Sequence, residues 1–118
     1  MEYDISFDEN LKVIMCRLSG DIYLSQACDL VQEIMDSSRK YLTRKIIIDL
    51  QKATFNIEMS RMVDLSMICD RMGLDDSFKT AVICNEIDLK LQFYERLSNN
   101  KSKQFKLFLD EEEARNWF

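Results

Sequence analysis

The start of the chain alternates between apolar and polar side chains, which is the period of a β-strand with one face in water. Apolar residues occupy positions 3, 5 and 7, and polar residues lie between them. A turn-forming run at 8–10 then leads into a second, more apolar strand at 11–18. These two segments predict a β-hairpin, which the sequence Ser19-Gly20-Asp21 is expected to end.

Three consecutive isoleucines predict the centre of the sheet. Before them, apolar residues at helical spacing predict a first helix that runs to about Ser38. The run at 45–50 then contains the three isoleucines without alternation, which is typical of a strand covered on both faces, as in parallel sheets. We therefore expect this strand in the middle of the sheet.

The second half of the chain continues the alternation of helix and strand. The remaining predicted elements are a helix from Asn56 to Met72, a strand at 78–84, a helix from Asn85 or Glu86 to Asn100, a strand at 104–109 and a short helix after Asp110. Asn56 and Asp110 are the predicted N-caps, because a short polar side chain can accept a hydrogen bond from the first turn of a helix. Gly73 is expected to end the second helix.

The resulting order, β-β-α-β-α-β-α-β-α, predicts an α/β fold. We expect a mostly parallel five-stranded sheet with an antiparallel N-terminal edge strand and about four helices. The 118 residues are enough for one hydrophobic core, and no repeat or linker divides them. We therefore predict a single domain over residues 1–118.

The acidic composition limits the classes of partner. The formal net charge is −5, so duplex nucleic acid or an anionic membrane has no general electrostatic reason to bind. No run approaches the roughly 18 apolar residues of a membrane span, and the N-terminus lacks the pattern of a signal peptide. These features predict a cytoplasmic protein with no membrane span and no nucleic-acid partner.

Few residues are candidates for catalytic or metal chemistry. The chain contains no histidine. It therefore lacks the usual general base, and its cysteines have no histidine with which to complete a zinc site. Its cysteines lie far apart in apolar stretches and are interpreted as structural thiols: Cys16, Cys28, Cys69 and Cys84. Asp49 and Glu58 could pair to bind a cation or to act as acid and base, but no substrate-specific motif accompanies them. We predict a protein that is not an enzyme and has no cofactor.

Three segments resemble the STAS, or SpoIIAA-like, superfamily. They are the hairpin ending in Ser19-Gly20-Asp21, the strand at 46–50 with Thr54-Phe55 behind it, and the C-terminal run at 108–118. The resemblance covers nearly the whole chain and rests on motifs of the fold. Within the superfamily, the chain looks like the stand-alone bacterial proteins. It implies a SpoIIAA-like (βα) superhelix akin to anti-sigma-factor antagonists and, more distantly, to CRAL-TRIO lipid-binding domains.

The resemblance directs attention to the turn after the central strand. It implies a phosphorylatable serine at the start of the following helix, where free N–H groups and the positive end of the helix dipole would meet a phosphate. An ungapped alignment on Phe55 places Glu58 at that position, and Met59-Ser60 replaces the small residue and glycine of the motif. The phosphoserine motif is therefore absent.

Three interpretations of this turn stay open. In the first, Asn56 caps an ordinary helix and Glu58 interacts favourably with its dipole. In the second, the turn is a protein-binding surface on which Glu58 is a permanent negative charge. In the third, Ser60 or Thr54 is phosphorylated as a displaced switch.

The second predicted helix has two apolar faces. One face is formed by Met62, Leu65, Cys69 and Met72. The other consists of Met59, Val63 and Met67, at i, i+4 and i+8, which we call the methionine stripe. Either both faces pack within the protein, or the methionine stripe is open to a partner or a second copy, since methionine adapts to varied surfaces.

Charged residues are predicted to separate between the two edges of the sheet. Acidic residues follow the C-termini of the strands, where ligands of open α/β sheets bind. Basic residues, among them Arg39, Arg44 and Lys45, lie near the opposite edge. These basic residues form either an ordinary solvated surface or a patch for an acidic partner.

Together these features predict a non-enzymatic STAS-like regulatory or protein-interaction module without the usual phosphoserine motif. It would act on an unidentified protein partner or as a homodimer. The candidate partner-binding residues are Thr54, Asn56, Glu58, Met59, Ser60, Val63 and Met67. The alternative is a small lipid-binding or apolar-ligand module, suggested by the CRAL-TRIO kinship and the abundance of Met and Phe. A large apolar pocket would favour it, and a filled core would count against it.

Overall fold

The computed structural model describes residues 1–118 and contains five strands and four α-helices. The elements are β1 (Glu2–Asp8), β2 (Val13–Ile22), α1 (Leu24–Tyr41), β3 (Lys45–Phe55), a 3₁₀ turn (Met59–Arg61), α2 (Met62–Met72), β4 (Lys79–Ile83), α3 (Leu89–Asn100), β5 (Gln104–Phe108) and α4 (Glu111–Asn116). This order confirms the predicted alternation of strands and helices. None of the helices combines the length and the apolar character that a membrane span needs.

The strands form one sheet in the order β1-β2-β3-β4-β5. β1 is antiparallel to β2, and the other neighbours are parallel. β3 lies in the centre, as its isoleucines predicted, and Ile46 and Ile47 are fully buried in the separate cores on its two faces. Each pair of parallel neighbours is joined through a helix, as parallel strands require.

Different layers cover the two faces of the sheet. α1, α2 and α3 cover one face over a core of 18 buried residues, which includes Ile34 of α1, Met62 of α2 and Leu91 of α3. α4 covers part of the other face over a core of 7 buried residues, which includes Ile47 and Ala114. Because successive residues of a strand point to opposite faces, β3 contributes to both cores.

Strands β2 and β3 extend further than predicted. Ser19-Gly20-Asp21 was expected to end β2 but lies inside it. The register with β3 shifts between Arg17 and Ser19, and Gly20 takes a φ of +82°, a conformation that glycine adopts without steric cost. β3 continues from residue 50 to Phe55 because its last residues pair with the end of β2. A sequence pattern that looked like a turn is therefore an irregular strand.

Asn56 does not cap α2, which corrects the prediction. Its backbone N–H donates to the carbonyl of Ile22 at 2.9 Å, and its side-chain amide donates to Asp21 at 2.9 Å. The loop after β3 is thereby tied to the end of β2. A separate 3₁₀ turn precedes α2, so the helix begins at Met62.

The other helix ends follow N-cap and C-cap chemistry. α3 begins at Leu89 rather than near residue 85, because the Asp88 side chain accepts from the N–H of Lys90 at 2.6 Å. Asp110 caps α4 as predicted, and its carboxylate accepts from the N–H of Glu113 at 2.8 Å. Gly73 ends α2 with a φ of 102°, also as predicted.

The cysteines are unpaired, and most of them lie in the core. Cys16, Cys69 and Cys84 are buried, Cys28 is partly buried, and all four are free thiols. Burial raises the pKa of the Cys16 thiol to about 12, so this side chain stays protonated at neutral pH.

A chain of ion pairs joins α4 to the sheet. Arg17 of β2 donates to Asp49 of β3 at 2.8 Å and to Glu111 of α4 at 2.7 Å. Glu111 also accepts from Arg115 at 3.0 Å, and Arg115 donates to Asp8 of β1 at 2.6 Å. Asp49 was considered from the sequence for cation binding or catalysis. In the structure its carboxylate forms an ion pair with Arg17.

Acidification should weaken the fold through this chain of ion pairs. The hydrogen bond from Arg115 lowers the pKa of Asp8, and the hydrogen bond from Arg17 lowers the pKa of Glu111. A carboxylate with a lower pKa in the folded state contributes stability that is present above its unfolded pKa of about 4 and is lost as pH falls through its folded pKa. We expect the free energy of unfolding to decrease below about pH 4.

Urea unfolding measured as a function of pH tests this expectation. Asp8→Asn keeps an oxygen that can accept from the β1–β2 turn but removes the titrating charge. The variant should lose part of the decrease in stability at acidic pH. If the variant and the parent protein decline identically, the contribution assigned to Asp8 is wrong.

Candidate functional site

The turn after β3 follows a defined path from the sheet to α2. Ile57 is 2% exposed and packs in the core of 18 residues, which we call the main core, and this contact anchors the turn to the sheet and helices. The next residue, Glu58, is extended, and its carbonyl accepts from the N–H of Arg61 at 2.9 Å to close the 3₁₀ turn. The turn is therefore held by backbone and core contacts rather than by a side-chain cap.

The polar residues of this turn face solvent. Thr54, Asn56, Glu58 and Ser60 are all exposed. Neither the 3₁₀ turn nor α2 has a side-chain N-cap hydrogen bond. The Glu58 carboxylate thus lies in water at the start of the helical segment, where a negative charge is favourable by a few tenths of a kcal/mol.

The methionine stripe lies on the surface of the chain. Met59 is 44% exposed, Val63 is 45% exposed and Met67 is 43% exposed. On the opposite face of α2, Met62 is 0% exposed and Cys69 is 2% exposed. The helix therefore buries one of the two apolar faces seen in the sequence and leaves the other open.

Further exposed apolar residues follow the strand ends at the same edge of the sheet: Tyr23, Ile87, Leu89 and Leu109. We call the edge at which the parallel strands end the carboxyl edge. Tyr23 follows β2 and is 52% exposed, and Leu89 follows β4 and is 71% exposed. α1, α2 and α3 each follow a strand of the parallel part of the sheet, so all three begin at this edge, and α2 contacts both α1 and α3. We call the methionine stripe together with Tyr23 and Leu89 the carboxyl-edge apolar surface.

Sequence patterns alone did not indicate Tyr23 or Leu89 as exposed residues of this edge. The helix predicted to begin at Asn85 or Glu86 made Leu89 an interior helical position. Asp88 caps α3 in the structure, but Asn85 is an equally good N-cap residue, so N-cap preference alone does not place Leu89 at the first turn. Nothing in the sequence pattern distinguishes Tyr23 from a residue that packs against its own helix.

The connection between β4 and α3 is fastened to the end of β3. β4 pairs with β3 only as far as Asp49, so residues 51–55 of β3 extend beyond it. The side chain of Asn85 donates to the carbonyl of Gln51 at 2.6 Å, and Lys90 donates to the carbonyl of Phe55 at 2.8 Å. These two contacts position Leu89 beside the turn that leads to α2.

The two carboxylates considered from the sequence as a cation-binding or acid–base pair are Asp49 and Glu58. Asp49 is paired with Arg17 on the α4 side of the sheet, whereas Glu58 precedes α2 on the opposite side. The structure therefore does not bring these two carboxylates together. No group of three or more metal-ligating side chains occurs. The chemistry available at the carboxyl edge is apolar contact with a polar rim.

The main core contains one small apolar cavity. It has a volume of about 100 Å³ and lies between the helical layer and the sheet. Of its 17 lining residues, 16 are hydrophobic, including Leu30, Leu65 and Val82. A pocket for a drug-sized ligand measures about 300–1,000 Å³, so this cavity is too small for a lipid chain.

Comparison with known proteins establishes the fold. No protein-family model and no curated protein match the chain. It is similar to the anti-sigma factor antagonist SpoIIAA in its unphosphorylated form, with 14% identity, a TM-score of 0.61 and coverage of 98% of this chain and 96% of that one. The phosphorylated form of SpoIIAA, a Bacillus cell fate determinant, gives 15% identity, a TM-score of 0.61 and coverage of 98% of both chains.

A third solved structure supports the same fold. An uncharacterised protein from Shewanella loihica with a SpoIIAA-like fold has 15% identity to this chain and a TM-score of 0.62, and the match covers 98% of this chain and 91% of that one. Identities this low establish a common fold and leave the partner open. The predicted SpoIIAA-like α/β fold is confirmed.

Proposed function

We propose that this SpoIIAA-like chain is a non-enzymatic regulatory module that binds a protein partner through its carboxyl-edge apolar surface. The observation that carries the proposal is the open methionine stripe on a helix whose other face packs against the core. Single exposed apolar residues are ordinary on protein surfaces, but a continuous row on one helix indicates an interaction site.

The composition of the surface suits a protein partner. Methionine and aromatic residues are enriched at protein interfaces, and this surface combines Met59, Met67 and Tyr23. Polar residues lie beside it, including the ion pair of Arg61 with Asp64 at 2.9 Å. An apolar centre with a polar rim is the usual anatomy of such an interface.

Glu58 supports a form of binding that needs no kinase. SpoIIAA is described in an unphosphorylated and a phosphorylated form, and its fold is the one found in this chain. Here a permanent carboxylate precedes the helical segment. We propose that Glu58, together with Thr54 and Asn56, forms the polar side of the interface. Phosphorylation of Ser60 or Thr54, both exposed, is the displaced-switch alternative.

The proposed setting is the cytoplasm, and the partner is another protein or a second copy of this chain. Four free thiols suit a reducing compartment. The alternative of a lipid or apolar ligand has less support, because the cavity of about 100 Å³ is far smaller than a lipid chain needs.

Val63→Glu tests the proposed interface. Because Val63 is 45% exposed, the substitution should change the free energy of unfolding by no more than about 0.5 kcal/mol. A charge in the middle of an apolar contact should nevertheless weaken partner binding or self-association by at least about tenfold. Sedimentation analysis and cross-linking in host lysate measure the two forms of association.

Arg96→Gln is the matched control for this test. Arg96 is exposed on α3, and its substitution changes the net charge by the same amount as Val63→Glu. The control should associate as the parent protein does. If Val63→Glu associates as strongly as the parent, or unfolds, the methionine stripe is not the open interface proposed here.

A further inference from the structure

An open depression lies at the opposite edge of the sheet, where β3, β4 and β5 begin. Its volume is about 730 Å³. Five cationic side chains line it, and no carboxylate does: Lys12, Arg39, Arg44, Lys45 and Lys79. The hydroxyl-bearing residues Ser38, Thr43 and Ser77 also line it. We call this feature the basic depression.

The charges of the basic depression are mostly uncompensated. Among the five cations only Arg39 has a carboxylate within ion-pair distance, that of Asp36 at 2.5 Å. Lys45 and Lys79 are paired in register on neighbouring strands, an arrangement of like charges that destabilises a sheet. Lys79 donates to the carbonyl of Trp117 at 2.7 Å, which orients it without neutralising it.

A nearby acid does not remove this excess of positive charge. Hydrogen bonds from Ser77 and, to a lesser extent, the charge of Arg44 lower the pKa of Asp75, but Asp75 does not line the depression. Its carboxylate accepts hydrogen bonds from the backbone N–H and the hydroxyl of Ser77. The positive charge therefore persists on a chain whose net charge is −5.

Helix electrostatics explain only part of the arrangement. Arg39 lies in the last turn of α1, where a cation interacts favourably with the helix dipole. Lys12 precedes β2, and Lys45 and Lys79 are the first residues of β3 and β4. Lys79 donates to the C-cap carbonyl of α4, at Trp117, but Lys12 and Lys45 donate to no helix carbonyl, so helix ends do not explain the whole cluster.

Hydrogen bonds between separate segments hold the wall of the depression in place. The Thr43 hydroxyl donates to the carbonyl of Lys12 at 2.5 Å and connects the β1–β2 turn to the segment before β3. The Ser38 hydroxyl donates to the carbonyl of Thr43 at 2.6 Å. Lys12 and Leu42 both have positive φ, at 58° and 53°, so two sharp turns shape this rim. The backbone that forms the wall is therefore held in place by contacts within the chain.

We propose that the basic depression binds a small ligand carrying several phosphate groups. Arginine, lysine and hydroxyl side chains are the groups that bind phosphate oxygens in proteins. The volume is that of a small-molecule site, and its concave shape fits a compact anion rather than a flat bilayer. The site lies at the opposite end of the strands from the carboxyl-edge apolar surface and does not depend on the function proposed for that surface.

Titration with inorganic triphosphate at low ionic strength tests the proposal. Calorimetry should show saturable binding of one triphosphate per chain, and amide NMR shifts should concentrate around Lys12, Thr43 and Ser77. The double variant Arg44→Glu/Lys45→Glu should bind at least about tenfold more weakly. Neither side chain makes a hydrogen bond or ion pair within the chain.

The double variant Lys52→Glu/Arg96→Glu is the matched control. It changes the net charge equally, but neither residue lines the basic depression. Its affinity should stay within about twofold of that of the parent. Equal weakening in both double variants would indicate a general charge effect and overturn the proposal.

Two further outcomes would also overturn the proposal. One is the absence of saturable binding by the parent protein, or NMR shifts spread over cations elsewhere. The other is binding to vesicles of phosphatidylcholine and phosphatidylserine without binding of triphosphate, which would indicate a membrane contact. The NMR experiment on the parent protein decides the question even where a charge-reversal variant fails to fold.

Discussion

Replacing Met62 by alanine should lower the free energy of unfolding by about 3 kcal/mol. Met62 is 0% exposed and lies in the main core with residues from the sheet and the neighbouring helices. Alanine would remove its apolar contacts and leave a cavity that the packed surroundings fill only in part. Urea unfolding followed by circular dichroism measures the change.

Met67→Ala is the matched control, since it is the same chemical change on the same helix. Met67 is 43% exposed, and its truncation should cost no more than about 0.5 kcal/mol. The difference between the two variants reports which face of α2 is packed. Similar losses in both would mean that the methionine stripe is covered by the protein itself, which would remove the basis of the proposed interface.

Arg17→Ala should lower the free energy of unfolding by about 2 kcal/mol. Asp49 is 8% exposed, and the substitution would leave its carboxylate buried without a cation. The same change also removes the hydrogen bond from Arg17 to Glu111 and so loosens α4. The expected loss is smaller than for a fully buried pair, because the side chain of Arg17 is 45% exposed.

Two further variants separate charge burial from the loss of an arginine side chain. Arg39→Ala breaks a pair with Asp36 in which both side chains are exposed, and should cost no more than about 0.5 kcal/mol. Arg17→Met/Asp49→Leu removes both charges and should be more stable than Arg17→Ala. If the double variant is no more stable, the unpaired Asp49 carboxylate is not the cause of the loss.

The sequence predicted the architecture well, because the main signals are local. The isoleucine run at 46–48 has no alternation and is rich in β-branched residues, which is typical of a strand covered on both faces. Asp110 and Gly73 mark helix ends through the conformation of their own residues and immediate neighbours. Such features depend on a few consecutive residues, so they can be predicted from the sequence without a structure.

The errors arose where a distant partner determines the local structure. Gly20 remains in a strand because β3 extends far enough to pair with it. Asn56 has the chemistry of an N-cap, but its backbone N–H and side-chain NH2 donate to Ile22 and Asp21, which hold it at the end of β2 and not at the first turn of α2. Local preference is the weaker influence when a long-range contact competes with it.

The candidate site shows the same limit. Helical spacing placed Met59, Val63 and Met67 on one face, but spacing does not reveal which face a neighbouring element covers. Tyr23 and Leu89 join this surface only because α1 and α3 lie on either side of α2. The basic depression likewise depends on strand register, which brings Lys45 next to Lys79.

The unpaired end of β3 also bears on solubility. Where a strand extends beyond its neighbour, its backbone carbonyls on that side are unpaired. Such an edge can pair with a strand from another molecule and begin aggregation. Here the carbonyls of Gln51 and Phe55 are already occupied by the side chains of Asn85 and Lys90. Lys90 also adds a positive charge that an incoming strand would have to displace. These two polar side chains protect the chain against intermolecular sheet growth at the point where its own sheet is incomplete.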